Sequence, residues 1–222
     1  MKKLLATLCI AVAASGAFAQ GWISWSTPAN AITAETNFSV SPLFGGSDSG
    51  FGGATAPASS GAVFNFALLY QPWTGSITTD TAVWDGTWLD SGLAATNSNT
   101  AGRLVPVNSG NRTVPWANGT TMNIVLVGWS SSLGTTWNEV SAVIGAYYAG
   151  SASGYFGESN FGYINPSLAQ PGATLFGTTS TANGLPIFSL NMQLYALPIP
   201  EPATFALAGL GGLALLMFRR RK

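Results

Sequence analysis

The distribution of apolar and polar positions predicts three firm strands. In Val63 to Tyr70 the residues Phe64, Phe66, Leu68 and Tyr70 recur at every second position, the spacing at which side chains of a strand share one face. In Ile187 to Tyr195 the alternation is cleaner, with Phe188, Leu190, Met192 and Leu194 expected inward and Ser189, Asn191, Gln193 and Tyr195 outward. One solvated face is the pattern of an antiparallel sheet. Met122 to Trp129 is almost continuously apolar, which predicts a central strand covered on both sides.

Weaker signals fill the intervals. Trp22 to Ser26 and Thr36 to Val40 read as short strands separated by the Pro28-Ala29-Asn30 turn. Ser41 to Gly61 is rich in Gly, Ser, Pro and Ala without apolar period and reads as a long loop. Arg103 to Val107 reads as a strand interrupted by Pro106, which removes a ladder donor and so marks an edge or a bulge. One helix is expected. Thr136-Trp137-Asn138-Glu139 has the spacing of a capping box, and Val140, Val143, Ile144 and Tyr147 form a stripe running to about Ala149. The fold class expected is all-β, an antiparallel, jelly-roll-like β-sandwich with one short helix.

Both ends of the chain depart from this pattern. Lys2 and Lys3, the apolar run Leu4 to Ala14, and Ala17-Phe18-Ala19 before Gln20 have the layout of a secretory signal peptide cleaved after Ala19. Residues 1–19 are therefore expected to be removed by signal peptidase. Cys9, the only cysteine, leaves with them, so no disulfide is expected in the mature chain. At the other end, Pro200-Glu201-Pro202 excludes helix. The sixteen residues Ala203 to Phe218 contain no charge, and Arg219-Arg220-Arg221-Lys222 follow. As a helix the run spans about 24 Å, short of a bilayer's hydrocarbon thickness but compatible with snorkelling cations and local thinning. The cation cluster is expected to stay cytoplasmic and to leave the preceding residues outside.

The combination of Pro200-Glu201-Pro202, the glycine-rich apolar run and the terminal Arg/Lys cluster resembles the PEP-CTERM sorting signal of Gram-negative bacteria. That resemblance covers about the last 23 residues and implies an exosortase substrate. It further implies processing near Glu201, a transient membrane intermediate, and delivery to the cell surface or extracellular polymer. Ile124 to Pro166, with Gly128-Trp129-Ser130 and Gly154-Tyr155-Phe156-Gly157-Glu158-Ser159, is loosely similar to ectodomains found in such proteins, which implies no activity. The organisation expected is a signal peptide at 1–19, a β-rich ectodomain at 20–199 and the sorting signal at 200–222.

Composition narrows what the ectodomain can do. Between Gln20 and Ile199 only Arg103 and Arg112 oppose Glu35, Asp48, Asp80, Asp85, Asp90, Glu139 and Glu158, a formal charge of −5. So acidic a domain has nothing to release counterions from nucleic acid. The chain has no histidine, and the expected mature form has no thiol. Serine triads, cysteine–histidine pairs, zinc sites and lysine Schiff bases are excluded in their usual forms, and no cofactor is expected. A carboxylate pair of the glycosidase kind remains, with Asp80, Asp85, Asp90 and Glu158 as candidates. The five-residue spacing of the three aspartates points instead to turns at Asp85-Gly86 and Asp90-Ser91-Gly92, with a calcium loop as the alternative. Trp84, Trp88 and Trp116 lie beside Asp and Asn residues and are candidates for stacking on sugar rings; the opposing reading buries them in the core. The function expected is that of a non-enzymatic surface or matrix protein with a structural or adhesive role. A polysaccharide-binding module is the alternative, and a glycosidase the third reading.

Overall fold

The computed structural model describes residues 20–27, 31–40, 52–55, 63–78, 82–146 and 153–197. The signal peptide and sorting signal expected at 1–19 and 200–222 lie outside these residues. Among the described residues no helix is long and apolar enough to cross a membrane.

Among the described residues thirteen strands and one α-helix follow in order. They are β1 (Gly21–Trp25), β2 (Ile32–Val40), β3 (Gly52–Ala54), β4 (Phe64–Pro72), β5 (Leu89–Asn97), β6 (Leu104–Pro106), β7 (Gly110–Val114) and β8 (Met122–Ser130). A 3-10 turn (Ser131–Leu133) leads into α1 (Trp137–Gly145), and then come β9 (Tyr155–Glu158), β10 (Gly162–Ile164), β11 (Ala173–Thr174), β12 (Gly184–Leu185) and β13 (Ser189–Ala196). Ten strands form one sheet whose main path runs β3-β2-β13-β9-β8-β4-β5-β6, with β10 and β12 branching from β8. The remaining three form a small sheet in the order β11-β1-β7.

The large sheet curls until its two ends meet. Past the β2 end, Ala34 N–H donates to the Gly102 carbonyl at 2.9 Å, and Gly102 N–H donates to the Thr55 carbonyl at 3.0 Å. Gly102 lies just before β6, the far end of the path, so edges that would otherwise stay unpaired satisfy each other. The concave side encloses the larger core. Phe64, Phe66 and Leu68 of β4, Leu93 and Ala95 of β5, Ile124 and Leu126 of β8, and Met192 and Leu194 of β13 all point there. The small sheet closes this core with Ile23 and Trp25 of β1, Val114 of β7 and Ala173 of β11. Burying each large aliphatic or aromatic side chain of this kind contributes about 1.5–3 kcal/mol.

The convex side holds a second core. Ala67 and Leu69 of β4, Val125, Val127 and Trp129 of β8, and Phe156 of β9 are covered by Trp137, Val140 and Ile144 of α1 together with Val83 and Trp88. The strand β8 thus packs on both faces, and its burial is continuous from Asn123 to Trp129. Gly128 has a steric role there: a Cβ would lie 2.6 Å from the Phe66 ring, which crosses the strand at that point.

The all-β reading and the strands expected at Val63 to Tyr70, Met122 to Trp129 and Ile187 to Tyr195 agree with this architecture, whereas the nine-residue β5 falls where the sequence signalled only turns; the other differences have local causes. Where the sequence suggests a jelly-roll-like pair of antiparallel sheets, one curled sheet instead encloses a small one. Two pairings, β13 with β2 and β1 with β11, are parallel. The stretch read as a long loop contains β3, paired antiparallel with β2; a three-residue strand with two glycines carries no period to detect. In β13 the expected inward Leu190 is 49% exposed while Met192 and Leu194 are buried. Asn191 has φ 59°, and the β2–β13 register shifts between Ser189 and Met192. A bulge at this point reverses the phase of the strand before it. The helix ends at Gly145, short of the expected Ala149, and Tyr147 lies outside the described residues. β6 lies at the end of the path with Pro106 in it, as an edge strand should.

Candidate functional site

The aspartates singled out by sequence serve their own turns. Asp85 Oδ1 accepts from the Thr87 backbone N–H at 2.8 Å and from the Thr87 hydroxyl at 2.7 Å. Asp90 Oδ1 accepts from Gly92 N–H at 2.8 Å. These are Asx turns, in which a carboxylate replaces a backbone acceptor. Asp80 lies outside the described residues. Among the described residues no three Asp, Glu, His or Cys side chains gather as metal ligands would.

Glu158, on β9, is opposite Val127 of β8, whereas Asp90 of β5 is opposite Leu69 of β4. Three strand spacings, about 14 Å, separate the strands carrying the two acids, with buried Leu69 and Val125 between. Glycosidase carboxylates stand about 5–10 Å apart. Of the other acids, Glu35 accepts from Gln193 Nε2 at 3.1 Å. Glu139 completes the capping box: its carboxylate accepts from the backbone N–H groups of Thr135 and Thr136, while Thr136 Oγ1 accepts from Glu139 N–H. The Thr135 and Thr136 donors hold the Glu139 carboxyl below the ordinary carboxylate range.

The three candidate tryptophans are placed differently. Trp88 is 3% exposed and stacks on Phe161 at 5.6 Å; Trp116 is 5% exposed and lies 4.6 Å from the Tyr70 ring. Both faces of these indoles are packed, so neither offers a platform to a sugar in this conformation. Trp84 is half-buried and meets Phe156 edge-on at 6.1 Å. Loop tryptophans were thus drawn into the core by the same apolar area that makes them attractive for stacking.

Two concavities are built by residues that sequence reasoning did not group. One, of about 270 Å³, lies over β4 and β5 beside the start of α1, with Asn65, Asp90, Thr96 and Thr135 supplying its polar rim. The larger, of about 520 Å³, lies at the strand ends and is lined by Val63 and Phe64, Ser130 to Ser132, Ser153 to Tyr155, and Ala196 and Leu197. A run of three serines directly after a hydrophobic strand is visible in the sequence. Its convergence with Ser153 and Tyr155 depends on β8 pairing with β9.

A family model for the PEP-CTERM protein-sorting motif matches residues 198–222, directly after Leu197 on the rim of the larger concavity. No curated protein matches the chain, and no solved structure does.

Proposed function

The chain belongs with the proteins that carry a PEP-CTERM protein-sorting motif, and on that premise we propose that its β-rich body is a non-enzymatic structural or adhesive component of the cell surface or extracellular matrix. The motif indicates export to the cell envelope or surface, with exosortase as the processing enzyme. Residues 198–222 are the observation that carries the reading. In it, the signal peptide ends at Ala19, the Pro200-Glu201-Pro202 segment is the processing site, and the Arg219 to Lys222 cluster holds the chain in the inner membrane until processing.

The body supports a non-enzymatic role through the use of its acids. Asp85, Asp90 and Glu139 are committed to backbone donors in turns and a cap. A domain held together by one curled sheet with two covered faces suits a passive, durable component. The deciding experiment expresses the chain in an exosortase-bearing host, with and without a Pro200→Ala/Glu201→Ala/Pro202→Ala change, and follows the protein by cell fractionation and mass spectrometry. Surface delivery without Arg219 to Lys222 is expected for the native chain, and retention in the membrane for the altered one. Surface protein that still carries Arg219 to Lys222 would overturn the reading.

A second reading, a polysaccharide-binding module, is favoured by the uncharged concavity at the strand ends.

A further inference from the structure

We propose that the concavity at the ends of β4, β8, β9 and β13 binds a neutral saccharide through serine hydroxyls and the Tyr155 ring. The inference rests on the reading that the exported body works among polysaccharide.

The size and position are suitable. About 520 Å³ is the volume range of small-ligand sites. The lining contains Ser130, Ser131, Ser132 and Ser153 but no charged residue. A phosphate, sulfate or uronate entering it would lose hydration with no cation to compensate. A neutral polyol does not incur that cost.

The hydrogen-bond directions sharpen the chemistry. The Ser132 hydroxyl donates to the Ser153 carbonyl at 2.9 Å. Its hydrogen is thereby committed, so in the 2.9 Å contact between the Ser130 and Ser132 hydroxyls Ser130 is the donor. Ser130 Oγ in turn accepts from Tyr155 N–H at 2.9 Å. Each hydroxyl oxygen has two lone pairs, so Ser130 and Ser132 each keep one for a ligand and neither has a hydrogen to offer. The Ser131 hydroxyl makes no hydrogen bond among the described residues and supplies a donor. The rim is therefore rich in acceptors and poor in donors, which selects ligands bearing several O–H groups. Half-buried Tyr155, tilted against Phe64 at a ring distance of 6.4 Å, adds the apolar wall that a sugar's C–H face needs.

Ligand-observed saturation-transfer NMR on the full chain in lauryldimethylamine oxide, a detergent without a sugar headgroup, tests this. Glucose, galactose and cellobiose are the neutral probes and glucuronate the charged one. At least one neutral sugar is expected to receive saturation and glucuronate none. Ser131→Trp, which places an indole across the cavity, is expected to weaken binding by about tenfold or more. Ser132→Ala, which removes one acceptor and little volume, is expected to weaken it less, and Trp88→Phe, outside the cavity, to leave it unchanged. Sugar binding that survives Ser131→Trp in a folded protein would overturn this site while leaving the polysaccharide reading standing. Equal binding of glucuronate would overturn the selectivity for neutral ligands. No binding by the native chain would overturn both the site and the polysaccharide reading, while surface export, read by fractionation, would stand apart.

Discussion

The indole of Trp25 on β1 donates to the carbonyl oxygen of Ala94 on β5 at 3.2 Å, joining the small sheet to the inner face of the curled one. The same oxygen accepts from Val107 N–H at 2.8 Å. Trp25 is fully buried and its ring meets Phe176 at 5.7 Å. Trp25→Ala is therefore expected to destabilise the protein by about 3–5 kcal/mol through lost contacts and a cavity. Trp25→Phe should cost much less, because Val107 keeps the Ala94 carbonyl satisfied. Urea denaturation of the two variants separates these terms; equal losses would mean that the hydrogen bond, not the packing, holds the sheets together.

Gly157 sits where β9 passes between β8 and β13. A Cβ there would lie 1.9 Å from the Gln193 carbonyl oxygen, a backbone atom that cannot rotate away. Gly157→Ala is expected to cost about 1–3 kcal/mol or more by forcing the strands apart. Gly177, which has open space around it, is the matched control, and Gly177→Ala should change the thermal midpoint little. A tolerated Gly157→Ala would show that the β9–β13 pairing yields easily.

Two buried tryptophans differ in one hydrogen bond. Trp129 Nε1 donates to the Gly134 carbonyl at 2.9 Å, whereas Trp88 Nε1 is buried without an acceptor among the described residues. Replacing Trp129 by Phe breaks a made bond and leaves the Gly134 carbonyl with only the longer contact from the Asn65 side-chain amide at 3.5 Å. Replacing Trp88 by Phe removes an N–H that was already unpaired, so part of its packing loss is offset. Trp129→Phe should thus be the more destabilising by about 1 kcal/mol, measured by chemical denaturation; the reverse order would contradict the hydrogen-bond account.

The capping box predicts a pH dependence with a definite sign. Glu139 is held below its ordinary range by the Thr135 and Thr136 N–H donors, so its contribution is complete above the unfolded value of about 4.3. It is lost as the pH falls through the lowered folded value. The stability gap between the native chain and Glu139→Ala should stay constant from neutral pH to about 5 and close in more acidic solution. Denaturation series across that range test it, and a gap that persists at the acid end would remove the carboxylate from the cap. Thr136→Ala should cost about 1 kcal/mol, with little of that cost depending on pH.

Much of this protein was legible in local pattern. The alternation in Phe64 to Tyr70, the continuous apolar run of β8, the Thr136/Glu139 cap and the turn at Asp85 need only neighbours in sequence, and each is present as read; Asp90 makes its local bond to Gly92 N–H inside β5 rather than in a turn between strands. The sorting tail is equally local. Its proline-bounded motif, apolar run and cation cluster are linear signals, and the match at 198–222 rests on them alone.

What stayed hidden depends on partners distant in the chain. The parallel pairing of β2 with β13 joins residues more than 150 positions apart, and neither strand's own residues specify its direction. The Asn191 bulge, which turned Leu190 outward, is held by Thr33 across that pairing: Thr33 Oγ1 donates to Asn191 Oδ1 and accepts from Asn191 N–H. Trp88 and Trp116 looked available because a loop tryptophan carries no sign of what will cover it; Phe161 and Tyr70 cover them in the fold. Likewise Ser130 to Ser132 became one wall of a cavity only when β8 paired with β9. By itself the sequence determined the strongly periodic or continuously apolar strands β4, β8 and β13, the cap, the turn at Asp85 and the address, because those are set by side-chain period, local hydrogen bonding and charge order. Only the tertiary structure decided which faces close, which aromatics disappear and where hydroxyls converge, because those depend on contacts between strands far apart in the chain.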